Sequence, residues 1–390
     1  MIRRILSIAV CFSITLALVA CGNNTGTGNV NLSVDQIAEN SIQAFQGLQS
    51  YEGLVRFDFT EPTAGWLTIE VWMDGALTLG SMAGEPPRFR GEVIDSTIEG
   101  LPGGTVAIFA PTSFFYNPDE QLVYTAKQGT PGAAAQLYRL PMLFITTMNQ
   151  MLQTLTVPTV NQTVVGKEKL GEFDTIKIEA TAAPDATSGP LTGDDKTTIW
   201  IDTATNLPVK IITVTDAGGT QTMTVSEMKV NQGVDAERFS YDPPADAKVI
   251  ELGPPVTVAS LEEASSQAGF TAPRPGYLPE GVPTTPTTVS VQETPAGFSI
   301  MQTYGEGGES GAVYIDTLQL TSALAQLPLA PPPGASSSKV DINGVEALVL
   351  VIGERQASVS MRQGDFLYVI RGNGFGEDEI IKVAEQLQMS

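Results

Sequence analysis

The chain has 390 residues, which is long for one ordinary domain and favours two. Its 21 basic and 43 acidic side chains give a formal net charge of −22, which argues against nucleic acid or an anionic membrane surface as a partner. The sequence contains no histidine, which excludes Ser-His-Asp and Cys-His catalysis and the usual zinc sites, and its two cysteines are Cys11 and Cys21.

The N-terminal residues have the three parts of an export signal. Two arginines precede an apolar run over 5–19, which is too short to span a membrane, and small residues precede Cys21. The run Leu18-Val19-Ala20-Cys21-Gly22 resembles the lipobox of bacterial lipoproteins. We therefore expect residues 1–20 to be a signal peptide, Cys21 to carry a palmitate-type acyl anchor, and residues 21–32 to form a flexible tether. An ordinary secretory leader with a chance cysteine is the alternative.

The sequence before residue 253 predicts mainly strands, with two helices. Apolar residues at helical spacing predict a helix over 33–49 and a second over 137–155. Alternating apolar and polar residues between turn signals predict strands elsewhere. The predicted strands are 51–60, 67–74, 89–94, 105–109, 114–116, 122–125, 175–180, 197–202, 209–215 and 220–230.

Gly253-Pro254-Pro255 is the predicted break between a domain over 33–252 and a second over 258–390. In the second domain, Asn343-Gly344 between two alternating runs predicts a type I′ hairpin. Predicted helices cover 261–269 and 377–388. The predicted strands are 288–293, 298–304, 312–320, 340–342, 345–352, 357–362 and 366–371. Many antiparallel strands with few helices predict an α+β chain whose first domain is one large curved sheet with helices packed on it.

Several phrases in residues 33–252 resemble the LolA/LolB superfamily of lipid and lipoprotein carriers, which includes LppX/LprG-type lipoproteins and RseB-type envelope sensors. The phrases are Val165-Gly166-Lys167-Glu168-Lys169, Ile199-Trp200-Ile201-Asp202 with Leu207-Pro208-Val209-Lys210, and Phe239-Ser240-Tyr241-Asp242-Pro243-Pro244. The resemblance implies an incompletely closed antiparallel β-barrel, with a helical lid over an apolar cavity.

Residues 258–389 resemble a domain of unknown function that follows such modules in bacterial envelope proteins. The phrases that carry this resemblance are Leu261-Glu262-Glu263-Ala264 and Pro275-Gly276-Tyr277-Leu278-Pro279-Glu280-Gly281, together with the terminal helix. This resemblance implies a smaller α+β domain and supplies no chemistry.

An acyl-binding cavity needs apolar and adaptable side chains. Burial of an acyl chain is worth about 0.8 kcal/mol per CH₂, and unbranched methionines fit irregular ligands. Plain core packing is the alternative for every one of the candidates, and strand parity alone does not identify the cavity face. The candidate ligand residues are Phe57, Phe59, Trp72, Leu143, Phe144, Met148 and Met151.

These observations favour a non-enzymatic, cell-envelope lipoprotein that is anchored on the extracytoplasmic face of a bacterial membrane. It would bind a lipid or the acyl part of a lipoprotein, without a metal or cofactor. The acidic clusters Asp194-Asp195 and Glu377-Asp378-Glu379 read as a solvated turn and a helix start rather than as catalytic pairs. Two alternatives stay open: an RseB-like sensor that binds an envelope regulatory protein, and a structural lipoprotein whose pocket is filled by its own side chains.

Overall fold

The computed structural model describes most of the chain after residue 31. The described residues are 32–60, 64–75, 87–98, 100–127, 139–184, 190–191, 193–215, 218–294, 297–306, 311–320, 336–351 and 355–389. The predicted signal peptide, the Cys21 acylation site and the predicted tether up to residue 31 lie outside the described residues. Within these ranges, no helix combines the length and the apolar character that crossing a membrane requires.

The first sheet has twelve strands and stays open. Its spatial order is β12-β6-β5-β4-β3-β2-β1-β11-β10-β9-β8-β7, so β12 and β7 are the two edges. All neighbours are antiparallel except β12 and β6, which run parallel. The expectation of an incompletely closed sheet is confirmed, with one parallel pair that makes it mixed. The strands are β1 Ser50–Phe59, β2 Gly65–Asp74, β3 Arg88–Ser96, β4 Val106–Phe109, β5 Thr112–Asn117, β6 Leu122–Lys127, β7 Val160–Leu170, β8 Phe173–Ala182, β9 Lys196–Asp202, β10 Pro208–Val214, β11 Thr220–Val230 and β12 Lys248–Glu251.

Two helices, α1 (Val34–Gln46) and α2 (Arg139–Thr156), pack on this sheet. A capping box starts α1: the Gln36 amide N–H donates to the Ser33 hydroxyl at 3.2 Å, and the Ser33 N–H donates to the Gln36 side chain at 3.0 Å. The helix ends at Gly47, whose N–H donates to the Gln43 carbonyl at 2.8 Å, so it is shorter than the predicted 33–49. The second helix is close to its predicted range.

Strand alternation places one row of side chains under the helices, on what we call the covered face of the first sheet. The odd-numbered residues of β1 and β2 supply this row, and the apolar stripes of α1 and α2 complete one continuous core. From β1 and β2 the core takes Tyr51, Val55, Phe57, Phe59, Leu67, Ile69, Val71 and Met73. From the helices it takes Ile37, Ala38, Phe45, Leu140, Leu143, Phe144, Met148, Met151, Leu152 and Leu155.

The segment between β11 and β12 covers part of the opposite face of this sheet. Its single 3₁₀ turn, Ala236–Phe239, places Phe239 in a small cluster with Trp72 and Tyr116. The Arg90 guanidinium donates to the Arg238 carbonyl at 3.1 Å and so ties the segment to β3. The sequence patterns predict neither this segment nor the edge strands β7 and β12.

A second sheet of eight antiparallel strands follows, with the order β13-β15-β16-β17-β21-β20-β19-β18. A two-stranded ribbon, β14 with β22, lies beside it. The last strand of the first sheet ends at Glu251 and the second sheet begins at Val256, on either side of the predicted break. The strands are β13 Val256–Val258, β14 Arg274–Pro275, β15 Thr288–Thr294, β16 Gly297–Gly305, β17 Ala312–Gln319, β18 Ser336–Ile342, β19 Val345–Val351, β20 Gln356–Gln363, β21 Phe366–Asn373 and β22 Leu387–Gln388.

Two helices, α3 (Leu261–Ala268) and α4 (Glu377–Glu385), pack on the second sheet and form its two apolar clusters. The predicted hairpin between β18 and β19 is confirmed, because Asn343 and Gly344 have φ of 54° and 85°, as a type I′ turn needs. The terminal helix is shorter than the predicted 377–388, because Leu387–Gln388 pairs with β14 instead.

Candidate functional site

The structure brings six of the seven predicted ligand residues into one core. All six lie between the covered face of the first sheet and α2, and each is buried. They are Phe57 and Phe59 on β1, and Leu143, Phe144, Met148 and Met151 on α2.

Trp72 lies on the opposite face of the sheet, away from α2. Its neighbours in sequence, Val71 and Met73, belong to the helix-covered core, and successive residues of a strand point to opposite faces. The guanidinium groups of Arg90 and Arg238 lie over the Trp72 ring, at 5.5 and 4.9 Å from its centroid. With Phe239, these contacts place Trp72 against the segment that follows β11 and outside the core that contains the other six.

The covered face is filled by side chains. The rings of Phe144 and Tyr51 lie 4.8 Å apart, and those of Phe57 and Phe59 are stacked at 6.3 Å. Two openings flank α2, with volumes of about 10 Å³ and about 130 Å³. Pockets for drug-sized ligands have roughly 300–1,000 Å³. A long acyl chain therefore fits on this face only if a helix moves.

The smaller opening lies between α2 and β9–β11, and its lining combines threonine and glutamine side chains with Met151, Ile211 and Met223. Thr147 and Thr154 of α2 and Thr197 and Thr213 of the sheet contribute hydroxyl groups to its wall. The two strand hydroxyls are 3.1 Å apart and hydrogen-bonded. A volume near 10 Å³ is about the minimum for one water molecule. This opening therefore suits a water molecule and not a ligand.

The larger opening lies between the two helices, and we call it the α1–α2 cleft. It is lined by Ile42, Phe45 and Gln46 of α1 and by Asn149, Leu152, Gln153 and Thr156 of α2. Most of its surface is formed by apolar atoms, although four of the seven lining residues are polar.

Three polar side chains are buried in the core around the helices without a hydrogen-bond partner among the described residues: Ser41 on α1, Tyr51 on β1 and Asn149 on α2. Burial raises the pKa of the Tyr51 phenol, because the charged phenolate would be desolvated. Buried tyrosine hydroxyls usually find a partner, so an unpaired one is informative.

The sequence analysis chose candidate ligand residues for their apolar side chains, so it missed these three polar residues. A signal was present, because Ser41 lies one turn from both Ile37 and Phe45 within the apolar stripe of α1. Asn149 likewise interrupts the stripe of α2 three residues before Leu152.

The described residues contain no group of three acidic side chains placed to hold a metal ion. The site between sheet and helices contains apolar side chains together with hydroxyl and amide groups. Such a set can bind an apolar or amphiphilic ligand, and it offers neither an activated nucleophile nor a general base.

Comparison with known families matches residues 272–387 to the domain of unknown function DUF4367. The match covers less than a third of the chain and falls within the second predicted domain. It confirms the sequence-based resemblance of that part to a domain of unknown function.

A search of curated proteins finds an uncharacterized protein of Methanocaldococcus jannaschii, 24% identical over 198 residues. The alignment covers 50% of this chain and 54% of the relative, so the chain spans about half the length of the curated relative that it matches.

Among solved structures, the chain is similar to one in the Pseudomonas aeruginosa MucA/MucB complex, at 13% identity and a TM-score of 0.37, over 91% of this chain and 98% of that one. It is also similar to a LolA superfamily protein from Nitrosomonas europaea, at 10% identity and a TM-score of 0.22, over 54% and 98%. Neither comparison supplies a site residue for this chain.

Proposed function

We propose that this protein is a non-enzymatic, membrane-anchored envelope lipoprotein that binds the acyl chain of a lipid or lipoprotein between the covered face of its first sheet and the helices α1 and α2. In the empty state, side chains of α2 occupy the place of the chain. Binding displaces α2 or α1 and exchanges protein–protein for protein–ligand apolar contacts.

The composition of α2 carries the proposal. From Leu140 to Thr156 this helix has no charged residue, and its buried side chains include Phe144, Met148 and Met151. Flexible thioethers adapt to chains of different shape. Each displaced apolar contact can be replaced by a ligand methylene, at about 0.8 kcal/mol per CH₂. Little apolar burial is therefore lost when the ligand replaces the helix.

The hydrogen bonds of α2 support a movable helix. Hydroxyls of Thr147, Thr154 and Thr156 donate to the carbonyls four residues earlier, at 2.8–2.9 Å. Such back-bonding weakens and bends helices, and β-branched residues have low helix propensity. The helix therefore depends on its contacts with the sheet and α1, which a ligand can replace.

The test is the lipid content of the protein isolated from its own membrane and released by proteolysis within the predicted tether. Mass spectrometry of the organic extract should find acyl lipid in a substantial fraction of the molecules. Met148→Gln, which keeps the side-chain length but adds a polar group to the covered face, should lower that fraction several-fold. The matched control is Met361→Gln, at an equally buried position under α4 of the second sheet.

The outcome that overturns the proposal is a folded, released protein with no more lipid than an unrelated protein from the same membrane. If that lipid-free protein retains one specific envelope protein through purification, the RseB-like alternative replaces the carrier proposal. Tryptophan fluorescence verifies folding of the first sheet in each variant, because Trp66, Trp72 and Trp200 all lie in its strands.

A further inference from the structure

A groove of about 470 Å³ lies in the second domain, between α3 and the extended segment that follows it, and we call it the α3 groove. Residues of α3 and its C-cap, from Leu261 to Gly269, form one wall, and residues between Phe270 and Arg274 form the other. The helix wall is about 12 Å long at the rise of an α-helix. Small-molecule sites have roughly 300–1,000 Å³, so this groove can hold a ligand without a movement of the fold.

Two contacts join the walls of the groove. The Ala272 N–H donates to the Ser265 hydroxyl at 3.0 Å. At the N-terminal end of the helix, the Arg274 guanidinium donates to the Glu262 carboxylate. The walls are thus held in place before a ligand arrives, which lowers the entropic cost of binding.

The charges of the groove balance each other. Glu262 and Arg274 are the charged residues among the described residues that line it, and their side chains are 71% and 58% exposed. An anion at Arg274 would meet the Glu262 carboxylate, and a cation at Glu262 would meet the guanidinium. The net charge of −22 further disfavours an anionic ligand. A paired carboxylate and guanidinium can instead accept from and donate to the hydroxyl groups of a neutral ligand.

Hydroxyl groups and one aromatic ring complete the polar and apolar parts of the lining. Ser265, Ser266 and Thr271 contribute the hydroxyl groups. The Phe270 ring is half-buried, because it packs against the Phe366 ring at 5.0 Å and also lines the groove.

The groove offers little other apolar surface. Leu261 and Ala272 also line it, but they are only 6% and 5% exposed. A lipid chain or an apolar peptide side chain would therefore bury little area there. A sugar ring fits better, because its rim carries hydroxyl groups that donate and accept, and the C–H groups of its faces can pack on an aromatic ring.

We propose that the α3 groove binds an uncharged saccharide, with Phe270 against one face of a sugar ring and with Glu262 and Arg274 hydrogen-bonded to its hydroxyl groups. This site would give the protein a second ligand of a different class. It does not depend on acyl binding, because it belongs to the second sheet and the proposed acyl site belongs to the first.

A glycan array tests the inference on the released protein. The probes are neutral di- and trisaccharides of glucose, galactose, mannose and N-acetylglucosamine, together with amino-sugar, uronic-acid and sulfated forms. We expect binding to neutral probes that exceeds both the binding of an unrelated protein and the binding to the charged forms. Titration with the best neutral probe should then shift the amide NMR signals of Ser265, Ser266 and Phe270 most.

Two variants remove the proposed contacts. Arg274→Met keeps the stem of the side chain but removes its donors, and it should weaken binding of the best neutral probe at least about fivefold. Phe270→Leu keeps an apolar side chain next to Phe366 but removes the ring, and it should weaken binding about threefold.

The control variants lie outside the groove. Lys339→Met breaks an exposed ion pair with Glu346, and Phe298→Leu removes a half-buried ring that packs on the same apolar cluster as Phe270. Both should leave the affinity unchanged. The inference is overturned if no neutral probe binds, if charged forms bind more tightly, if the shifts are confined to other regions, or if control and groove variants have equal effects.

Discussion

Replacing Tyr51 with phenylalanine should stabilise the protein, which is the opposite of the usual effect of removing a buried tyrosine hydroxyl. Tyr51 is 1% exposed, its ring packs against Phe144, and its hydroxyl has no partner among the described residues. The ring lies along β1 over Gly53, where a Cβ would be only 2.6 Å from the hydroxyl oxygen. The oxygen is thus enclosed on the covered face.

The magnitude follows from two terms. A buried hydroxyl without a hydrogen bond costs about 1–3 kcal/mol, which Tyr51→Phe recovers. The space left by the oxygen, roughly 10 Å³ at ~24 cal/mol per Å³, costs about 0.2 kcal/mol. We expect the free energy of unfolding of the first sheet to rise by about 1–3 kcal/mol.

Urea denaturation followed by tryptophan fluorescence measures this change, because all three tryptophans lie in the first sheet. The matched control is Tyr304→Phe in the second sheet. There the hydroxyl donates to Gln302 Oε1 at 2.7 Å, so its removal leaves a buried acceptor unpaired and should cost about 1–3 kcal/mol. Amide hydrogen exchange of β16 and β17 reports that loss.

The reasoning is refuted if Tyr51→Phe lowers the midpoint of the fluorescence transition with an unchanged slope. That result would mean that the Tyr51 hydroxyl has a stabilising partner, and the unpaired polar atoms under the helices would then be no evidence for a ligand.

Three further predictions concern the same cores. Phe144→Ala should destabilise the first sheet by about 3–5 kcal/mol in urea melts, since the ring is fully buried; a loss below 1 kcal/mol would mean that α2 is not packed in solution. Gly53→Ala should cost about 1–3 kcal/mol, because its Cβ would also lie 2.9 Å from the Glu227 carbonyl oxygen, whereas Gly253→Ala, with open space around it, should be neutral in the same melts. Burial raises the pKa of Tyr304 to about 12, above its ordinary value of 10.0. Its contribution to stability is therefore complete below pH 10 and lost as the pH rises towards 12, which tyrosinate absorbance and alkaline unfolding will follow; ionisation of Tyr304 near pH 10 in the folded protein would contradict the assignment.

Local sequence patterns predicted an element correctly where residues within that element determine its conformation. The capping box at Ser33 and the Asn343-Gly344 turn each depend on a few adjacent residues, and the turn occurs as predicted. The alternation on β1 places Phe57 and Phe59 on one face of the strand, and the structure shows that this face is buried. These features are local because the backbone conformation, the cap or the turn is determined by residues only a few positions apart.

Elements that depend on distant partners were missed. The edge strand β7 carries an irregular mixture of polar and apolar residues, and it is a strand because it pairs with β8. The short β12 pairs in parallel with β6, more than a hundred residues earlier. The terminal helix ends at Glu385 because the next residues join β14, a contact that no helical pattern contains.

The sequence by itself determined an α+β chain with two parts, the positions of most strands, and the apolar residues that form the core. These could be predicted because hydrophobic periodicity and turn-forming residues are recognised within short stretches of sequence. Only the tertiary structure decided that Trp72 faces away from α2, that side chains fill the covered face, and that Ser41, Tyr51 and Asn149 are buried without partners. Packing between separate elements determines which face is covered and whether a polar atom has a partner. Those elements are far apart in the chain, so local sequence patterns do not predict their contacts.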